Sequence, residues 1–430
     1  MTTSKKEEKL GVNDTILWVT YLNVALYALS YQLQTPVEPF LIKRLSEETG
    51  NVESVNETYG NLQAFFQTVQ MLGSPLIGLA LDRFGIRSTS ILVYLSSALS
   101  YAILASAHDL PMLFLSKIPT IFQAAFLVAQ AIAADSTGND ASARAAALGR
   151  MTTAYTVGAT LGPTVGGFLA DRGDFYIGAK LAVVGSVTSA VISFVFLPDG
   201  GKKENESGDG KEAVKAKRSF LESVRHSGSM AMRASLWPLL MVKVLGGVVA
   251  SMHSTAMPLV LTQQLHIEPS RLGLTMSGSM IAVAVFGAFG MAPLIKTLGP
   301  PRMTYVGLLG RAALGIAMAL IISVAMNQQD SFLTHIIGAA IVHALFSHVL
   351  ATGLTTQTTG AVASDERGAL LGLEHSLFSF ARIGGPKIST SLLSFGSGLW
   401  AVESFCGAFD VLLMAALVAA APRMAKAKEP

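Results

Sequence analysis

Apolar runs of roughly 20 residues, separated by shorter polar stretches, recur along almost the whole chain. A run of that length is what a helix needs to cross the ~30 Å hydrocarbon core of a bilayer. Twelve can be laid down, near 15–40, 59–82, 88–107, 111–134, 146–170, 176–197, 236–262, 271–296, 303–326, 331–358, 368–395 and 398–421. The pattern predicts an all-α integral, multi-pass membrane protein of twelve transmembrane helices. The polar stretch 198–235, GKKENESGDGKEAVKAKRSF and its flanks, has no sustained apolar period and reads as a linker. It separates a first six-helix half (15–197) from a second (236–421), with polar tails at 1–14 and 422–430.

Internal repetition supports the division. RAAALGRMTTAYTVGATLGPTVGG (Arg144 to Gly167) returns in diluted form 223 positions later as RGALLGLEHSLFSFARIGGP (Arg367 to Pro386). Arg144 matches Arg367, Leu148 and Gly149 match Leu371 and Gly372, and Gly162 and Pro163 match Gly385 and Pro386. Identities at one fixed offset predict two pseudo-symmetric halves of duplicated origin.

Composition and charge then narrow the class. Only 14% of residues are charged, against roughly 25% in an ordinary soluble protein. Most of the 31 lysines and arginines fall in the N-terminal tail, in alternate loops, in the linker and in the C-terminal tail, which predicts that both termini face the cytoplasm. The net charge of +3 follows from that bias and gives no reason to expect a nucleic-acid partner. The linker lysines Lys211, Lys215 and Lys217, with Arg218, are placed to touch anionic membrane lipid. A single cysteine, Cys406, excludes an intrachain disulfide and a cysteine-rich metal site. Asn56-Glu57-Thr58 is a glycosylation acceptor if its loop meets a secretory lumen. Which membrane the chain occupies is open between plasma membrane and endomembranes.

Two motifs carry the most specific information. Between spans two and three lies G-x-x-x-D-R-x-G-x-R over Gly78, Asp82, Arg83, Gly85 and Arg87. Gly78 and Gly85 suit a tight turn, Asp82 can cap a helix N-terminus, and Arg83 and Arg87 can reach carboxylates or helix C-termini. Span five reads G-x-x-x-G-P-x-x-G-G over Gly158, Gly162, Pro163, Gly166 and Gly167. Small residues at that spacing let a second backbone approach, and Pro163 leaves the carbonyl of Ala159 without its helical donor.

Together the loop and the span-five glycines resemble the major facilitator superfamily, in its drug/proton antiporter branches. The resemblance implies two six-helix halves that rock about a midplane site, with the loop locking one state. It also implies that helices one, four, seven and ten surround the cavity, with eleven close by. Lys117 in FLSKIPTIFQ stands where that family usually carries an arginine linked to proton coupling, and lysine keeps only the charge. IKTLGPPR, the counterpart loop, keeps Gly299 and Arg302 but has Lys296 in place of Asp82, so a lock there is expected to be weaker.

Ionisable residues inside spans must face protein or a water-filled cavity. The helix placement that the resemblance implies makes Lys117, Lys243, His343 and Arg382, with Glu374, the candidates for a substrate or proton site, while Arg311 and Asp410, on helices it puts at the periphery, are expected to pair structurally. With Lys117, Lys243 and Arg382 all basic, the cavity is expected to be net positive and to favour anionic or zwitterionic organic solutes.

The function expected is therefore secondary transport of a small organic solute by alternating access, as proton-coupled antiport or efflux, with protons as the coupling ion. The alternatives are a facilitated-diffusion uniporter and a non-transporting receptor or tether with a degenerate transporter fold. G-x-x-x-x-G-K-[ST], H-E-x-x-H and G-x-S-x-G are all absent, so the sequence predicts no enzyme, no cofactor and no metal site.

Overall fold

The computed structural model describes residues 2–50, 55–137, 141–198, 229–325, 329–362, 367–394 and 398–426, which leaves the linker lysines outside the described residues. Among the described residues every regular element is helical. The helices are α1 (Thr2–Gln32), α2 (Glu38–Thr49), α3 (Val55–Ala105), α4 (Leu110–Leu115), α5 (Ala125–Thr137), α6 (Ala141–Ala170) and α7 (Ile177–Phe196), then α8 (Trp237–Leu259), α9 (Pro269–Val285), α10 (Met291–Ala325), α11 (Gln329–Gly360), α12 (Arg367–Ser394) and α13 (Leu399–Lys426). Among the described residues eight stretches are long and apolar enough to cross a membrane, including Arg83–Ala105, Ile177–Phe196 and Leu399–Pro422.

Prolines and glycines set the breaks. The expected first span of 15–40 ends at Gln32 instead, because Pro36 and Pro39 cannot continue its hydrogen-bond ladder. Helix α2 restarts at Glu38 with Pro39 in its first turn. Span four, expected as one helix over 111–134, is interrupted. A short 3-10 turn at Ile118–Phe122, carrying Pro119, separates α4 from α5, and Lys117 sits at the join. Helices α3 and α10 each contain one non-helical residue, Gly85 at φ 74° and Gly299 at φ 71°, a backbone region that a side chain makes costly.

Two compact units divide the chain: Met1–Lys203 with Leu261–Ile281, and Glu204–Val260 with Ala282–Pro430. In the first, α1 packs chiefly on α6, and α3 on α7. Its core joins Ile77, Val93, Tyr94, Val128 and Ile132 in one cluster and Tyr21, Val24, Ala129 and Met151 in another. In the second, α10 packs on α11 and α13, and α8 on α12. Leu239, Val242, Leu308, Leu350 and Leu413 form its main apolar cluster.

The segment Leu261–Ile281 packs with the first unit through glycines: a Cβ on Gly167 would sit 2.9 Å from the carbonyl carbon of Pro269, and one on Gly273 2.8 Å from that of Pro163. Thr164 also donates its hydroxyl to Ser277 Oγ at 2.7 Å.

Candidate functional site

In the first unit the break before α5 brings Lys117 against Glu38. The Lys117 ammonium pairs with Glu38 Oε1, and Gln63 Nε2 donates to Oε2 at 2.7 Å. Lys117 also lies 5.5 Å from the centre of the Phe66 ring. Because Glu38 opens α2, its carboxylate takes in addition the favourable field of a helix N-terminus. Lys117, a candidate for the substrate or proton site, is thus nearly buried and neutralised.

The second unit assembles a similar pair from three helices. Lys243 on α8 donates to Glu374 Oε2 on α12 at 2.6 Å and to Thr355 Oγ1 on α11 at 2.8 Å. Thr358, one turn along α11, donates to the other Glu374 oxygen at 2.6 Å. The lysine side chain is 17% exposed and the glutamate 4%, so the pair is dry on one side and reachable on the other. Charge-assisted bonds this short rank among the strong ones, yet a competing anion of like geometry can replace either oxygen.

Deeper in the same unit lie further matched groups. His253 on α8 contacts Glu403 Oε1 on α13 through Nδ1 at 2.8 Å. The His343 ring on α11 lies over the His253 ring with centroids 3.9 Å apart. Arg311 on α10 pairs with Asp410 on α13 at 3.0 Å, with side chains 2% and 1% exposed, while both of its terminal nitrogens donate to the Gly246 carbonyl at 3.2 Å.

The loop and glycine motifs have plain geometry. The tight turn is confined to Gly85; Gly78, expected to share it, is helical with open space around it. Arg87 donates to the Phe194 carbonyl in the last turn of α7, with its guanidinium 4.7 Å from the Phe194 ring, so it meets a helix C-terminus. Arg83 is exposed beside Phe84, and the Asp82 side chain lies outside the described residues. Gly158, Gly162 and Gly166 lie along α1 and the turn after it. A Cβ on Gly158 would stand 2.9 Å from Leu29 N, one on Gly162 3.1 Å from Leu29 O, and one on Gly166 2.8 Å from the carbonyl carbon of Leu33, with nearer atoms in each case.

Several sequence expectations change. His343, placed by the sequence among cavity residues, is buried against His253, because α11 turns that face into its own bundle. Lys117 and Lys243 each have a carboxylate, so the predicted positive excess shrinks to Arg382. That residue is exposed beside Phe378, with no carboxylate partner among the described residues. Asn56 and Thr58 fall in the first turn of α3 with Thr58 buried, a poor shape for a glycosylation acceptor. His253 and Glu403 are the additions: each interrupts an apolar run as Lys243 and Asp410 do, and that interruption is the signal that marks them.

Helical units that bury lysine–carboxylate pairs between membrane-length helices have the makings of a multi-pass membrane carrier. The chain belongs to the Major Facilitator Superfamily, whose sequence model matches residues 20–386. It is similar to mouse solute carrier family 22 member 18, at 26% identity over 87% of this chain and 88% of the relative. The class C tetracycline resistance protein of Escherichia coli is 27% identical over 88% and 89% of the two chains. Among solved structures, the human organic anion transporter MFSD10 aligns with a TM-score of 0.64 at 19% identity over 94% of this chain and 99% of that one. A POT family transporter in complex with 5-aminolevulinic acid aligns at 0.76 with 14% identity over 95% and 96%. The fold is therefore the major facilitator fold, and the protein is a transporter rather than an enzyme.

Proposed function

We propose that the chain exports a small organic solute across its membrane by alternating access, in exchange for protons, and that Lys243 and Glu374 form part of the solute site. The observation that carries this reading is the Lys243–Glu374 pair, half-open and braced by Thr355 and Thr358. A zwitterionic solute offers its anion to Lys243 and its cation to Glu374, and an anionic solute takes Lys243 when Glu374 carries a proton; either way no buried charge is left unpaired, which would otherwise cost several kcal/mol. Anionic or zwitterionic solutes are therefore favoured over permanent cations. Export is supported by relatives named for tetracycline and multidrug resistance, and proton exchange by the resemblance of the loop and the α6 glycines to the drug/proton antiporter branches.

Twelve spans with both termini cytoplasmic belong to the same reading. The long stretch Pro269–Leu320 divides into two at Gly299. Helices α1, α6 and α12, with 31, 30 and 28 residues, are long enough to cross although glycine, hydroxyl and charged residues dilute their apolarity. The loop from Gly78 to Arg87 serves one conformational state, and the glycines from Gly158 to Gly167 hold α6 close to its neighbours.

The test is flux in proteoliposomes with and without a pH gradient, using tetracycline, a monocarboxylate dye and tetraphenylphosphonium as probes. The gradient is expected to drive the zwitterion or the anion at least tenfold faster than the cation, and Lys243→Gln to raise the half-saturation concentration about tenfold. Faster movement of the cation, unchanged in Lys243→Gln, would overturn the assignment of the solute site. Equal rates with and without a gradient would mark a facilitated-diffusion carrier instead.

A further inference from the structure

We propose that Glu403, His253 and His343 form a proton-binding site in the core of the second unit, separate from the Lys243–Glu374 pair, and that it carries the coupling proton. The inference rests on the reading of the chain as a proton-coupled carrier. Its geometry comes from three helices. His253 on α8 meets Glu403 on α13 at 2.8 Å, and His343 on α11 covers the imidazole at 3.9 Å between ring centres. The Glu403 side chain is fully buried and that of His253 is 10% exposed.

Every charged or titratable group facing this site can be named among the described residues. Helix α13 supplies Glu403, Asp410 and Cys406, the last with its sulfur 3.9 Å from the Val249 carbonyl. Arg311 comes from α10, held by Asp410 and by the Gly246 carbonyl two turns below His253 on α8. From α11 comes His343; His348 on the same helix lies instead toward Gly287. Among its described side chains helix α12 adds no charge, since Glu374 is engaged with Lys243, about 15 Å along α8 from His253, and Arg382 and Lys387 are exposed.

Charge counting sets the occupancy. Arg311 and Asp410 cancel. With both imidazoles neutral, Glu403 leaves the cluster at net −1; with one imidazole protonated it is neutral; with both protonated it is +1. Either charged state puts an uncompensated charge in a dry core, at a cost of several kcal/mol. The two rings, tilted by 31° with their centres 3.9 Å apart, resist a second proton by simple repulsion. One proton is therefore held, on an imidazole beside the ionised Glu403 carboxylate rather than on Glu403 itself. It can leave only when water or a conformational change supplies a substitute for its charge. That condition is what coupling requires: the proton is retained during the closed passage and released when the unit is hydrated.

A structural hydrogen bond between neutral His253 and Glu403 would satisfy the same distance but not the same charge count. Nitrogen NMR of histidine-labelled protein in nanodiscs at pH 7.5 separates them, with the signals assigned from His253→Gln and His343→Gln. The wild type is expected to show one imidazolium from this pair. Glu403→Gln and Asp410→Asn, which each remove one negative charge from opposite ends of the cluster, are both expected to abolish it. Two neutral rings in the wild type, or an imidazolium that survives both substitutions, would overturn the proposal.

Each variant is accepted only with a cooperative thermal transition, and the pair of variants guards against loss of either one to misfolding. In proteoliposomes, gradient-driven tetracycline accumulation is expected to fall at least tenfold in Glu403→Gln. Wild-type accumulation in that variant sinks the coupling role. Absence of any transport in the wild type counts against the carrier reading, while the NMR result still decides whether the proton site exists.

Discussion

Helix α6 offers a prediction whose sign changes within a few turns. Gly149 has no neighbour within 4 Å of the position a Cβ would take, whereas at Gly158 that Cβ would lie 2.9 Å from Leu29 N and 3.0 Å from Ala28 Cβ, with the Ala25 carbonyl nearer still. Ordinary contact begins near 3.4 Å. Gly149→Ala therefore only removes backbone freedom and is expected to stabilise by about 0.8–1 kcal/mol. Gly158→Ala gains the same propensity, but α1 and α6 have to part by about 1 Å, and overpacking of this kind costs roughly 1–3 kcal/mol or more.

Gly166→Ala, whose Cβ would meet the backbone of Leu33, is expected to follow Gly158. For a unit of this size each kcal/mol shifts the midpoint by about 2–4 °C. Thermal unfolding of the purified chain in one detergent, followed by intrinsic fluorescence, should show Gly149→Ala raised by about 2–4 °C and the other two lowered, by up to about 8 °C. If Gly158→Ala and Gly166→Ala melt at or above the wild-type temperature, the close approach of α1 and α6 is wrong.

Asp82→Asn is expected to cut transport at least tenfold while expression and melting temperature stay near wild type, since a contact made in one state biases an equilibrium without removing core packing; wild-type flux would reduce the loop to a turn. Asp410→Ala strands the buried Arg311 guanidinium at a cost of roughly 3–5 kcal/mol, and the apolar double replacement Arg311→Met with Asp410→Leu should recover most of the lost melting temperature. Asp174, in the turn between α6 and α7, is held below the usual carboxylate range by hydrogen bonds from Lys180 and then from the Tyr176 amide. A depressed carboxyl stabilises above its unfolded value near pH 4 and loses that contribution as pH falls through the folded value. Exposure makes the contribution small, so Asp174→Asn should move the melting temperature by under about 1 °C at pH 7 and narrow the difference further by pH 3.

The membrane-length helices were legible because burial in lipid demands apolar length, and the glycines of α6 because only small residues at spacing four permit contact. The breaks at Gln32 and Lys117 were harder: Pro36, Pro39 and Pro119 signal a break, but an apolar window runs through them undisturbed. Of the ion pairs only that of Arg311 with Asp410 was legible, from two charges inside otherwise apolar helices. Lys117 and Glu38 are 79 residues apart, Lys243 and Glu374 131, and no local period encodes a partner at such distance. That is why Lys117 and Lys243, counted with Arg382 toward a net positive cavity, each proved to have a carboxylate partner within its own unit.

The order in which the pairs are completed differs between the units. In the first, Glu38 is already made when Lys117 follows. In the second, Lys243 precedes Glu374 by 131 residues and His253 precedes Glu403 by 150, and Arg311 likewise waits for Asp410. A lone lysine or arginine at mid-helix disfavours insertion by about 2.5–3.5 kcal/mol. Helices α8 and α10 lie in stretches apolar enough to cross a membrane in spite of that penalty, but their basic groups are made before their partners, and α13 supplies the acids for both His253 and Arg311. A chain cut short before Leu399 retains all its basic groups in these helices and lacks two of the acids that let them stay, so biogenesis of the second unit is finished from its C-terminus.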